Sequence, residues 1–205
     1  DENGYLSIYS PEDALRDRAT LPLHFEPRLI EYHIDRKSID AAFDDLTDQL
    51  EEDERSELTR RAARMVNFVH NQERVEKVAE DIVKHFRQHV EPNGYKAMIV
   101  CYDRQACVQY KQALDLLLPA DASDIVMTLA RGDPDEWRQR WDRSKDDEER
   151  LLDRFRDPLD QLQIVIVTSK LLTGFDAPIL QTMYLDKLMK NHTLLQAICR
   201  TNRPF

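Results

Sequence analysis

Two short runs of apolar residues constrain this 205-residue chain more than any other feature. "KAMIVCY" (96–102) and "QIVIVTS" (163–169) are continuous rather than alternating. A strand with one wet face shows a polar residue at every second position; an unbroken run belongs to a strand buried on both faces, as in a parallel sheet covered by helices. "DIVMTLA" (124–130) and "QTMYLD" (181–186) repeat the pattern more weakly. Helical segments alternate with these runs. Asp103 is placed to cap "RQACVQYKQALDLLL", "DEERLLDRFRD" precedes the third run, and Asn191 or Thr193 can cap a closing helix. The expected fold class is an α/β sandwich with a mostly parallel sheet flanked by helices.

Upstream of this rhythm the chain reads differently. "ATLPLHFEPRLIEYHI" (19–34) mixes β-formers with two prolines and predicts one or two edge strands. Residues 37–71 are charged and periodic, with Ala42, Phe43, Leu46 and Leu50, then Leu58, Ala62, Met65, Val66 and Val69, predicting two surface helices. A further helix is expected over 72–90, its stripe made by Val75, Val78, Ala79, Ile82, Val83 and Phe86. The expected division is a connecting segment over 1–71 and an α/β domain over 72–205.

The formal charge of −10 argues against a protein that coats nucleic acid. Its distribution is more informative. From Gln163 to Phe205 five Lys or Arg face two Asp, a local +3 that leaves −13 on the first 162 residues. One basic segment on an acidic surface suits an anion site. The three cysteines, Cys101, Cys107 and Cys199, lie in apolar contexts without metal-ligand spacing and read as packing residues. The start "DENGYLSIYS" lacks the features of a signal peptide and no run of 18 apolar residues occurs, so a cytoplasmic protein is expected.

In open parallel sheets ligands bind at the carboxyl ends of strands, which directs attention to "TSKLLTGFDAP" (168–178). Thr168 and Ser169 are expected at a strand end, followed by a short apolar turn of helix, then Gly174 and Asp176 before Pro178. Hydroxyls and N–H groups at a helix start suit a phosphate, and Asp176 can accept a ribose hydroxyl or hold arginines. The loop alone also fits a tight connection in which Gly174 supplies an unusual φ and Asp176 caps the turn. In the closing helix, Gln196, Arg200 and Arg203 fall on one stripe. Such arginines can simply complement the helix dipole, or their forked donors can grip a phosphoryl group.

Three strings taken in order, "MIVCYDRQACVQY", "IVIVTSKLLTGFDAP" and "YLDKLMKNHTLLQAICRTNRP", resemble motifs IV, V and VI in the second RecA-like lobe of superfamily-two helicases. More narrowly the chain resembles the motor region of the R subunit of type I restriction enzymes, through "LLTGFDAP", "MYLDK" and "LLQAICRTNRP", and through "YSPEDALRDRATLPLHFEPRLIEYHID", which is similar to the segment joining the two lobes in those subunits. The resemblance implies that Arg200 and Arg203, led by Gln196, reach the γ-phosphate of ATP held by the first lobe. It implies that Gly174 and Asp176 lie near the nucleotide, that Thr168, with Ser169 and Lys170 beside it, meets the DNA backbone, and that magnesium accompanies ATP. It further implies double-stranded DNA, the first lobe and nuclease domain of the same subunit, and modification and specificity subunits as partners. Thr173 stands where many motif V sequences have arginine, and the chain ends before the strand expected after motif VI.

No GxxxxGK[ST] and no convincing nuclease cluster occur, so the chain is expected to be a fragment that is inactive alone. The alternatives are the second lobe of another helicase or translocase, or a non-catalytic α/β docking module. No metal site is expected: His85 and His89 share a helix face but lack a third ligand and read as surface residues, and Trp137 and Trp141 read as a packed face.

Overall fold

The computed structural model describes residues 65–187 continuously, residues 22–28, and Asp13, Arg16, Asp17, Thr20, Met189, Leu194, Ala197, Arg200 and Thr201 individually. Four parallel strands form one sheet in the order β2-β3-β1-β4. They are β1 (Lys96–Cys101), β2 (Ser123–Val126), β3 (Ile164–Val167) and β4 (Leu180–Asp186). β1 and β3, the two unbroken apolar runs, are the central strands and every residue in them is buried. Their register is in step from Ala97 opposite Ile164 to Val100 opposite Val167.

The helices are α1 (Gln72–His85), α2 (Arg104–Asp115), α3 (Asp135–Trp141) and α4 (Lys145–Arg156). Side chains beside their starts set them. Asn71 accepts from the Arg74 N–H, Asp103 from Ala106, and Ser144 from Asp147, each satisfying a donor left unpaired at a helix N-terminus. α1 widens into a π-turn over Phe86–Val90, tightens into a 3-10 turn over Glu91–Asn93, and stops at Gly94 with φ +74°. A left-handed residue there turns the chain straight into β1.

Alternating side chains on the strands feed two cores. Ala97, Ile99, Cys101, Ile125, Ile164 and Ile166 meet Val75, Ala79, Ile82 and Phe86 of the first helical stretch, Tyr110 and Leu114 of α2, and Trp141. Met98, Val100, Val165 and Val167 meet Leu151, Leu152 and Phe155 of α4, the connection around Leu172 and Phe175, and Ala197. The chain is therefore a three-layer α/β structure, as its apolar runs require. Trp141 is buried with Trp137 packed beside it, and Cys101 and Cys107 are buried and free. Val69 joins the first core, packed with the helix that follows it. Cys199 and all of residues 37–64 lie outside the described residues, as do Asn191 and Thr193.

Two expectations need correction. Residues 22–28 carry no strand: the stretch is exposed throughout, because Pro22 and Pro27 remove two ladder donors. A bidentate ion pair fastens it to α1 instead, Arg28 Nε and Nη2 donating to Asp81 at 2.6 and 2.8 Å. His85 is also not a surface residue. It is half-buried, with Nδ1 2.8 Å from the Tyr184 hydroxyl, and its pKa is lowered first by burial and then by Arg28.

The Arg28 pair has a pH signature. Its hydrogen bonds hold the Asp81 carboxyl below the ordinary carboxylate value, outweighing the opposing effect of burial. A folded pKa below the unfolded one stabilises above about pH 4 and loses that contribution as pH falls through the folded value. Amide exchange over 22–28, corrected for intrinsic rates, should therefore accelerate as pH falls below about 4. Arg28→Ala should be fast across that range; an unchanged pH response in the variant would exclude the pair as the cause.

Candidate functional site

The connections after β1 and β3 leave the sheet toward opposite faces, α2 lying on one and residues 168–179 on the other. Adjacent strands whose connections diverge open a crevice at their carboxyl ends. Thr168 and Ser169 stand there directly after Val167, Thr168 half-buried and Ser169 exposed. The short helix expected to follow them is absent. A bond from Leu172 N to Ser169 O at 3.3 Å closes one turn, and Leu171, at φ +69°, sits inside it where a helix would need a negative φ. Burial of Leu171 and Leu172 against α4 overrides the local helical tendency, so no helix N-terminus backs the two hydroxyls.

Gly174 and Asp176 are exposed on the same connection, and Gly174 sits at φ +73° with open space where a Cβ would project. Gly174→Ala should therefore cost only the left-handed penalty, about 1–2 kcal/mol, with no added clash. Urea denaturation reads this directly; a loss beyond about 3 kcal/mol would reveal a packing role.

Positive side chains converge on this connection. Arg200, from the closing helix, donates from Nε to the Leu172 carbonyl at 3.1 Å and from Nη1 to the Phe175 carbonyl at 2.6 Å. Arg156, from α4, donates from Nε to the Asp176 carbonyl at 3.2 Å and lies 5.3 Å from the centre of the Phe175 ring. Lys187 at the end of β4 approaches the Thr168 carbonyl at 3.4 Å. Lys170 is paired with Glu148 at 2.5 Å, which offsets its charge toward any phosphate. The structure thus brings Thr168, Ser169, Lys170, Gly174, Asp176 and Arg200 into one region, while Gln196 and Arg203 lie outside the described residues.

Other polar groups brace the crevice. Asp103 accepts from the Ala106 N–H and lies 3.0 Å from His70 Nε2, and Arg104 pairs with Asp133 at 2.8 Å. At the end of β4, Asp186 takes both Nη groups of Arg74 and the Tyr110 hydroxyl, the latter at 2.7 Å. Burial and then the Asp186 charge raise the Tyr110 pKa, so that hydroxyl stays a donor. Sequence reasoning did not single out Arg74, Arg156 or Glu148. Arg74 gave the one available signal, a charge adjoining the apolar stripe of α1. Among the described residues, no three His, Cys, Asp or Glu side chains converge as metal ligands, and no helix is long and apolar enough to cross a membrane.

Residues 136–205 match the family described as type I restriction enzyme subunit R domain 3, and residues 3–56 match the SWI2/SNF2 ATPase family. The chain is 40% identical over 209 residues to the type I restriction enzyme HindI endonuclease subunit of Haemophilus influenzae, covering 98% of this chain and 19% of that protein. The chain matches the endonuclease (R) subunits of type I restriction enzymes. A second such subunit, MjaIXP of Methanocaldococcus jannaschii, is 34% identical over 204 residues, 98% of this chain and 20% of that subunit. The chain therefore spans about a fifth of the length of these R subunits. A solved HsdR fragment of a type I restriction enzyme from Vibrio vulnificus YJ016 shares the fold, with a TM-score of 0.50 at 17% identity over 65% of this chain and 24% of that one. The RecA-like α/β class expected from the sequence is the one observed.

Proposed function

We propose that this chain is the second RecA-like lobe of an ATP-driven, DNA-translocating R subunit, with residues 1–71 connecting it to the preceding lobe. The closing helix brings Gln196, Arg200 and Arg203 to the edge of a triphosphate whose cradle lies on that preceding lobe. Gly174 and Asp176 border the nucleotide, and Thr168, Ser169 and Lys170 face the DNA backbone. The observation that carries this reading is the bond pair from Arg200 to Leu172 and Phe175, which joins the motif VI helix to the motif V connection at the carboxyl edge of a parallel sheet.

ATP is the substrate in this reading, and the residues present suit the lesser half of its site. They supply guanidinium groups and a shaped loop, which can stabilise charge that develops on a transferred phosphoryl group. They do not suit a magnesium site, since among the described residues no three His, Cys, Asp or Glu side chains are placed to hold a metal ion, and no step through the ion is assigned to this lobe. Closure of the two lobes would bring the arginines to the triphosphate, and reopening would shift the DNA-facing groups along the duplex. The coupling is tested by measuring ATP turnover of the full-length R subunit, assembled with its modification and specificity subunits, with and without double-stranded DNA. Turnover that rises with DNA is expected; turnover that is absent, or indifferent to DNA, rejects the proposal.

A further inference from the structure

Three backbone carbonyls of the connection between β3 and β4 are held by guanidinium groups from two different helices. Arg156 takes the carbonyl of Asp176, and Arg200 spans those of Leu172 and Phe175. The backbone visits the left-handed region twice here, at Leu171 just before the anchors and at Gly174 between the Leu172 and Phe175 carbonyls. A leucine rarely adopts that conformation, and such strain persists only where surrounding contacts over-determine it. Phe175, buried between the anchors, packs 6.2 Å from Phe155 of α4, and Ala197, one turn before Arg200, is fully buried in the same core. Arg200 of the closing helix is thus tied to the loop before any nucleotide is considered.

We infer that Arg200 is a positioning residue. Resting on the nucleotide-facing reading above, this divides the stripe: Arg203 touches the phosphoryl group, while the fork of Arg200 fixes the shape of the loop bearing Gly174 and Asp176. One feature favours that division. Two of the Arg200 donor groups are committed to carbonyls at 3.1 and 2.6 Å, so reaching a phosphate with them would require releasing the loop. A lysine at 200 would keep the charge but lose the planar fork that spans two acceptors.

The test compares Arg200→Ala, Arg200→Lys and Arg203→Ala in the full-length R subunit. In the nucleotide-free protein, amide exchange over 171–176 should accelerate about tenfold or more in both Arg200 variants, because local opening loses its charged donors. Arg203→Ala should leave that segment at the wild-type rate. In steady state, both Arg200 variants should raise KM for ATP about tenfold, as expected for a misplaced binding loop, whereas Arg203→Ala should act on kcat. Wild-type exchange over 171–176 in Arg200→Ala overturns the inference, as does Arg200→Lys that retains wild-type exchange and KM. Because the exchange measurement needs neither ATP nor turnover, failure of the nucleotide-facing reading, seen as an Arg203→Ala enzyme with unchanged hydrolysis, is distinguishable from failure of this one.

Discussion

Arg203→Ala in the full-length R subunit should lower ATP turnover by about 10³–10⁵-fold, which corresponds to about 4–7 kcal/mol of lost transition-state stabilisation. The size follows from when the interaction forms. A guanidinium that meets charge developing on the transferred phosphoryl group contributes in the transition state and little in the ground state, so its removal falls on kcat rather than on KM. Arg203→Lys keeps a positive charge but not the bidentate geometry, and should recover only a minor part of the loss. Thermal melting of the variants should match wild type, which separates a catalytic defect from an unfolded lobe. Hydrolysis within a few-fold of wild type would remove Arg203 from the phosphoryl site.

The second large effect concerns stability. Arg74 and Asp186 are paired with side chains only 10% and 15% exposed, and Arg74 also donates to the Val69 carbonyl at 3.4 Å and lies 4.9 Å from the centre of the Phe68 ring. Removing one partner leaves the other charge in a poorly solvated site, so Arg74→Met should cost about 3–5 kcal/mol. In a domain of this size that is roughly 6–20 °C of Tm. Replacing both partners, Arg74→Met with Asp186→Leu, should recover much of the loss, because no uncompensated charge then remains. A double variant as unstable as the sum of the singles would mean that the pair contributes through packing rather than through its charges.

The same network explains how the crevice is kept in shape. Asp186 closes β4 one residue before Lys187, and its two donors arrive from α1 and α2, so both helices of one face are tied to the strand end. Arg200 and Arg156 perform the corresponding service on the other face, where the chain crosses from β3 to β4 without a helix.

Local features were legible because their causes are local. The burial of Lys96–Cys101 and Ile164–Val167 follows from unbroken apolar runs, the Asp103 cap from one short polar residue ahead of a helical stripe, and the left-handed turn at Gly174 from a residue without a Cβ. The family was legible for a related reason, since "LLTGFDAP" and "LLQAICRTNRP" are contiguous strings. Where local preference met tertiary burial, burial prevailed: Leu171 and Leu172 turn into the core instead of continuing a helix, and His85 withdraws to meet Tyr184.

By itself, then, the sequence determined that the chain would build a helix-covered parallel sheet and that Thr168 and Ser169 would stand directly after one of its strands. Tertiary structure alone decided the strand order, the pairing of Arg74 with Asp186 across 112 positions, and the acceptors taken by Arg200. The reason is physical. A helix cap or a buried run is specified within a few residues by side-chain type, whereas a backbone carbonyl has the same chemistry in every residue, so only the folded path shows which one a distant guanidinium will meet.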